Sequence, residues 1–136
     1  LGQQFARIVF VAQQDLSHLH FLTTQAGLQS FVLFGNGILP DGVSGDDLRM
    51  IALELRNRAA NSVVALISSS AGRPVLVAAA SDGARAAGIM AGALVKIGST
   101  VLGGGGGGKD DFAQGGGTNP AKSLEAIAAI SQSLLG

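Results

Sequence analysis

Residues 103–117 read GGGGGGKDDFAQGGG, two glycine clusters enclosing Lys-Asp-Asp-Phe-Ala-Gln. Nine of the 21 glycines fall in this stretch, so its backbone is freer of steric limits than the rest of the chain. A flexible linker would mix Gly with Ser and would lack such a centre. This segment also joins two helical patterns, and it reads as a structured binding loop. The spacing from Gly103 to Gly108 followed by Lys109 imitates a phosphate-binding loop, but Asp110 stands where Ser or Thr would ligate magnesium. A carboxylate there repels a triphosphate. The stretch also follows a helix, whereas phosphate loops and dinucleotide fingerprints follow a strand. Both readings fail. There remains a run of backbone N–H groups, at Gly105, Gly106, Gly107 and Gly108, open to an extended polar partner. Lys109 would add charge toward a phosphate, and Gln114 two donors and an acceptor. Phe112 offers either a stacking face or, more ordinarily, an apolar anchor for the loop.

Upstream of the loop, Ile89, Met90, Ala93, Leu94, Ile97 and Val101 recur at helical spacing and predict a helix over 86–102. Gly88 and Gly92 then sit four apart on one face, each costing about 1 kcal/mol relative to Ala. Such a cost is tolerated where another backbone comes close. Downstream, Asn119 and Pro120 form an N-cap and first-turn pair, and Leu124, Ile127, Ala128, Ser131 and Leu134 carry a last helix.

Further back, the apolar runs 63–67 and 75–79 are joined by Ser-Ser-Ser-Ala-Gly-Arg-Pro and predict a hairpin. Their near-continuous apolar character predicts strands covered on both faces. Before them, Ser44 with Asp47 signals a helix start, and Leu48, Ile51, Ala52, Leu55 and Ala59 predict a helix over 46–60. Arg49 and Arg56 lie on its outer face, either as ordinary solvated charges or, with Lys96 and Lys109, as phosphate contacts. Phe31–Phe34 predicts a buried strand ended by Gly35-Asn36-Gly37, followed by a Pro40-Asp41-Gly42 turn. Residues 3–22 place Phe5, Ile8, Val9, Ala12, Leu16 and Leu19 on one helical face, although the β-branched Ile8, Val9 and Val11 keep a strand at 7–12 open. His18 and His20 alternate without a Cys or carboxylate pair nearby, which is not metal-ligand spacing.

The order is helix, strand, helix, hairpin, helix, glycine loop, helix. It predicts an α/β (α+β) fold, a two-layer sandwich with one small mixed or antiparallel sheet, helices packed on it, and the glycine-rich loop before the last helix. We divide the chain into an N-terminal helical linker, 1–30, and a globular domain, 31–136.

Nine Lys and Arg balance nine Asp and Glu, so bulk charge advertises no nucleic acid, and any such contact must be a local patch. Cys is absent, which excludes disulfides and Cys-based zinc sites and fits a reducing cytoplasm. The chain starts at Leu1 and shows no leader pattern, so we expect a portion of a longer protein. The apolar stretch 84–102 is interrupted by Arg85, Lys96 and glycines, and no membrane span is expected.

With these residues in view, the segment 103–117 resembles the C-terminal domain of alanyl-tRNA synthetases, a member of the DHH-associated family shared with DHH phosphodiesterases. The family pattern is a glycine cluster, a short variable stretch, Ala-Gln and a second glycine cluster, here Gly103–Gly108, Lys109–Phe112, Ala113-Gln114 and Gly115–Gly117. GDDLRMIALELRNR at 45–58 and the hairpin 62–80 match in order and character, and the resemblance covers about 31–136. The phosphodiesterase relatives place His directly after the glycines, where this chain has Lys109, which favours the synthetase branch.

The resemblance implies a non-catalytic module that binds tRNA(Ala) at its elbow and supports aminoacylation and editing by the parent ligase. The chain itself carries no catalytic residues and no cofactor, whereas ATP, magnesium and zinc are expected for the parent. The other domains of the parent are expected partners, and a homodimer is allowed. Two alternatives stand beside this: an oligomerisation module using Gly88 and Gly92, and the substrate-binding domain of a DHH-type phosphodiesterase.

Overall fold

A computed structural model describes residues 7–12, 31–58 and 61–135, with side chains over 36–58 and 61–134. Among the described residues the order begins with strands β1 (Arg7–Ala12) and β2 (Phe31–Ile38), helix α1 (Gly45–Arg56), and strands β3 (Ser62–Ser70) and β4 (Arg73–Ala80). A short helix α2 (Asp82–Ala86), helix α3 (Ala91–Leu102), strands β5 (Gly106–Gly108) and β6 (Phe112–Gly116), a 3-10 turn (Pro120–Lys122) and helix α4 (Ser123–Leu135) complete it. The six strands among the described residues form one sheet in the order β1-β2-β3-β4-β6-β5. Pairing is parallel from β1 through β3 and antiparallel from β3 to β5, so the sheet is mixed.

Alternation along the two central strands sorts the core. Val63, Ala65 and Ile67 of β3, with Leu76, Ala78 and Ala80 of β4, face α3 and α4 through Leu94, Val95, Leu102, Ala126 and Ile130. Val64, Leu66, Val77 and Ala79 face the other way, onto Leu48 and Ala52 of α1. The expected α/β class, with one mixed sheet and helices packed on it, is what the chain adopts. Helices cover both sheet faces, one layer more than a two-layer sandwich, which is why β3 reads as an unbroken apolar run.

Local signals explain most element ends. The Ser44 hydroxyl accepts from the Asp47 N–H at 3.1 Å and starts α1, as its spacing predicts. The Ser-Ser-Ser-Ala-Gly-Arg-Pro run is mostly strand rather than loop. β3 and β4 pair up to Ser70 and Arg73, leaving a two-residue turn in which Ala71 and Gly72 take φ of +54° and +78°. That is the twist-compatible geometry of a tight hairpin. Buried hydroxyls fasten the other ends: Ser68 donates to the Val43 carbonyl at 2.7 Å, and Ser62 to that of Arg56 at 2.9 Å. Ser81 accepts from the Ser62 N–H at 2.9 Å and the Ala84 N–H at 3.3 Å, joining the start of β3 to the start of α2. Ser81→Ala removes the acceptor for both, and we expect a loss of about 1–2 kcal/mol in chemical denaturation. A midpoint equal to that of the parent chain would refute this role.

Three expectations are corrected. The helix over 3–22 fails at residues 7–12, which form β1 in parallel register with β2, Arg7 opposite Phe31. The β-branched and aromatic run Ile8-Val9-Phe10-Val11 suits a pleated surface better than a helix. The rest of that expected helix, with His18 and His20, lies outside the described residues. Second, β2 does not end at Gly35 but continues through Gly35-Asn36-Gly37 to Ile38, because β3 offers a partner at each step. Third, the helix expected over 86–102 begins only at Ala91, after a separate short helix that ends at Ala86. Gly88 sits between them at φ +93° with open space around it, where no helix can continue.

Candidate functional site

The glycine-rich stretch folds as a hairpin at the sheet edge. β6 pairs with the central strand β4, and β5 pairs outward with β6, bringing Gly107 opposite Gln114. Helix α3 runs beneath it and clamps both ends. Met90, which precedes α3, supplies no side-chain cap. Instead the Asp110 carbonyl accepts from the Ala91 N–H at 2.8 Å, and the Lys109 carbonyl from the Gly92 N–H at 3.2 Å. These bonds meet the unpaired donors that every helix start presents. At the far end Gly103 takes the left-handed conformation, φ +84°, and the Leu102 carbonyl accepts from the Thr118 and Asn119 N–H groups. The loop is therefore a rigid extension of the sheet, and the start of α3 is already occupied by carbonyls. A phosphate-loop role is excluded by geometry as well as by Asp110.

Gly92 has an internal explanation. A Cβ there would lie 3.2 Å from the Gly108 carbonyl oxygen, so the residue lets the hairpin lie against α3. Gly88 is in a loop and shares no helix face with it. The shared helix face on which the expected self-association surface was placed does not form.

The candidate RNA-contacting residues divide by face. Gly105 to Gly108 and Lys109 are all exposed along the outer strand and its turn. Gln114 is exposed in the middle of β6, and its amide nitrogen lies 2.8 Å from where a Cβ on Gly45 would be, over the first turn of α1. The Arg49 guanidinium of α1 stacks 5.3 Å from the Phe112 ring centroid. Phe112 itself packs on the cluster around Leu48 and Ala52, so it anchors the hairpin. Arg56 donates to the Asp111 carbonyl at 3.4 Å and to the Asn57 side chain at 3.3 Å, tying the end of α1 to the hairpin turn. These residues share the α1 side of the sheet. Lys96 does not join them: it is exposed on α3, the helix on the opposite face.

Charge pairing sharpens the division. Arg58 pairs with Glu54 at 3.0 Å, Lys122 with Glu125 at 3.5 Å, and Arg85 with Asp82. Among the described side chains Arg49, Arg56, Arg73, Lys96 and Lys109 have no carboxylate partner. Two clefts flank the hairpin. One, of about 650 Å³, lies between the end of α1 and the start of α2 and is lined by Arg56, Arg85, Asp82 and Asp111 among others. The second, of about 400 Å³, runs past Arg73, Gln114 and the glycines at the open end of the hairpin. Arg73 escaped sequence reading because the serine-rich run looked like loop. The usable signal was Ala-Gly between two apolar runs, which marks a tight turn and makes Arg73 the first residue of a strand. Among the described residues no group of three His, Cys, Asp or Glu is placed to hold a metal, and no helix is long and apolar enough to cross a membrane.

A family model described as the DHHA1 domain matches residues 26–135. The chain belongs to the DHHA1 domain family. Curated relatives include the alanine–tRNA ligase of Acidothermus cellulolyticus, 52% identical over 90 residues, and that of Cutibacterium acnes, 44% identical over 114 residues. Those matches cover 65% and 82% of this chain, but only 10% and 12% of the ligases. Among solved structures, the C-Ala domain from Aquifex aeolicus alanyl-tRNA synthetase superposes with a TM-score of 0.71 at 32% identity, covering 76% of this chain and 91% of that one. The resemblance to C-terminal domains of alanyl-tRNA synthetases is thereby established in sequence and in fold. In DHHA1 terms, the glycine motif that carries the resemblance is the edge hairpin β5–β6 together with its two clamps onto α3. The family match begins at residue 26, and β1 pairs into the same sheet from residue 7.

Proposed function

We infer that this DHHA1 domain is a non-catalytic tRNA-binding module of an alanine–tRNA ligase. It docks on the tRNA elbow through the outer surface of the β5–β6 hairpin and holds the tRNA while the parent enzyme charges and proofreads it in the cytoplasm. One observation carries the reading. The glycine hairpin is held rigid at both ends and presents open backbone with uncompensated cations, Lys109 and Arg49, beside it. A preorganised backbone surface loses little entropy on binding, and phosphate contacts fix register without reading bases. Gly105 to Gly108, Lys109, Gln114 and Arg49 form the proposed contact. Arg56 supports the turn. Lys96, on the other face, lies outside it. ATP, magnesium and zinc belong, in this reading, to other domains of the parent.

The match to alanine–tRNA ligases, with Lys109 in place of the phosphodiesterase His, speaks against the phosphodiesterase alternative. The oligomerisation alternative loses its basis with the Gly88–Gly92 face. Titration of the chain against tRNA(Ala) between about 50 and 200 mM salt should give log K falling with a slope of about −2 to −3, as two to four phosphate contacts require. Absence of binding at the lowest salt would overturn the reading.

A further inference from the structure

The two clefts beside the hairpin differ in charge, and the difference selects a ligand. The larger one sets Arg56 and Arg85 against Asp82 and Asp111, so its formal charges cancel. The smaller one is lined by Arg73, Pro74, Val75, Gln114, Thr118 and glycines, with no carboxylate at all. Its three polar side chains are uncommitted: neither the Arg73 guanidinium, the Gln114 amide nor the Thr118 hydroxyl is hydrogen-bonded within the described chain. All three are exposed, and the floor between them is the backbone of Gly104, Gly105 and Gly115 to Gly117.

We propose that this groove is a ribose–phosphate subsite in which Arg73 binds one phosphate of an RNA backbone, with Thr118 and Gln114 donating to adjacent phosphate or ribose oxygens. The proposal rests on the tRNA-binding reading above and adds a site to it. A guanidinium grips phosphate with paired donors, which an ammonium cannot do. The glycine floor has no Cβ atoms to keep a sugar-phosphate chain at a distance. Lys109 lies at the other end of β6, and four strand steps of about 3.4 Å separate Phe112 from Gly116, about 14 Å in all. Arg73 and Lys109 therefore cannot hold the same phosphate. They act as two points on one strand laid along β6, past Gln114 in the middle.

The test is fluorescence-anisotropy titration of labelled tRNA(Ala) with the full chain, its Arg73→Gln and Arg73→Lys variants, and Lys122→Gln as a charge control on a paired residue. Arg73 is exposed and unpaired, so the variants should keep the fold, which circular dichroism checks. Arg73→Gln should weaken binding at least threefold at about 50 mM salt and reduce the log K against log salt slope by about 1, with Lys122→Gln leaving the slope unchanged. Arg73→Lys should restore the slope and only part of the affinity, because the charge returns without the bidentate geometry. If tRNA binds and Arg73→Gln has the slope of the parent chain, the groove is not a subsite and the tRNA-binding reading survives alone. If no tRNA binds, both fall. Inorganic phosphate, substituted for chloride at constant ionic strength, separates the sources: loss of the Arg73-dependent part at low millimolar phosphate would make the groove a free-anion site and overturn the RNA assignment.

Discussion

Leu76→Ala should lower the stability of this domain by about 3–4 kcal/mol, and adding Gly98→Ala to it should cost much less than Gly98→Ala costs alone. Leu76 is fully buried in β4, on the face covered by α3 and α4. Truncating it removes a buried isopropyl group and leaves a cavity that the sheet cannot close. Gly98 of α3 is the reason the site is so tight. A Cβ there would lie 2.5 Å from a Leu76 methyl and 3.0 Å from the Ile130 side chain. In the parent chain Gly98→Ala gains about 1 kcal/mol of helix propensity and loses about 1–3 kcal/mol to overpacking, a net destabilisation. In the Leu76→Ala background the new methyl enters the vacated space, so the clash with Leu76 vanishes, the tighter contact with Ile130 is left, and the propensity gain stays. A double-mutant cycle by urea unfolding should therefore return a coupling of about 1–2 kcal/mol in the compensating direction. Strict additivity would show that α3 does not approach β4 as closely as we describe.

The second large effect separates two neighbouring glycines of β5. Gly106→Ala should open the hairpin and weaken tRNA binding at least tenfold, whereas Gly107→Ala should leave the hairpin closed. The two residues point to opposite sides of the sheet. A Cβ on Gly106 would come within 2.3 Å of the Gly115 Cα and 2.8 Å of the Gln114 carbonyl oxygen. Those are backbone atoms of the partner strand and cannot rotate away, so β5 must detach. A Cβ on Gly107 meets nothing within 4 Å. Because β5 is a three-residue edge strand, the global stability should fall by only about 1–2 kcal/mol. The diagnostic is faster amide exchange confined to 105–117, together with the affinity loss. Equally fast exchange over 105–117 in the two variants would contradict the observed strand packing.

Much of this architecture was legible in the residues. The apolar runs of β3 and β4, the Ser44 cap and the Asn119-Pro120 start carry local signals whose physics does not depend on what packs nearby. Where the reading failed, local preference was ambiguous and a distant partner decided. Residues 7–12 carry both a helical stripe and a β-branched run, and pairing with β2 resolves them as strand. Gly35-Asn36-Gly37 would end an isolated strand, but β3 keeps the backbone bonded. Gly88 and Gly92 look equivalent in a list of residues. One turns the chain, and the other admits a neighbouring backbone.

The site divides in the same way. By itself the sequence determined the family, through two glycine clusters around Lys109 and Ala113-Gln114, and excluded a phosphate loop through Asp110, since both conclusions need only residue types at fixed spacing. Tertiary structure alone decided that the glycines form an edge hairpin clamped to α3, that Arg49 and Gln114 lie on its α1 side while Lys96 does not, and that Arg73 stands beside them. The reason is that a glycine has no side chain with which to encode a partner. What the stretch 103–117 does is set by the backbones that close on it from β4 and α3, and by whichever charged residues those elements bring to its edge.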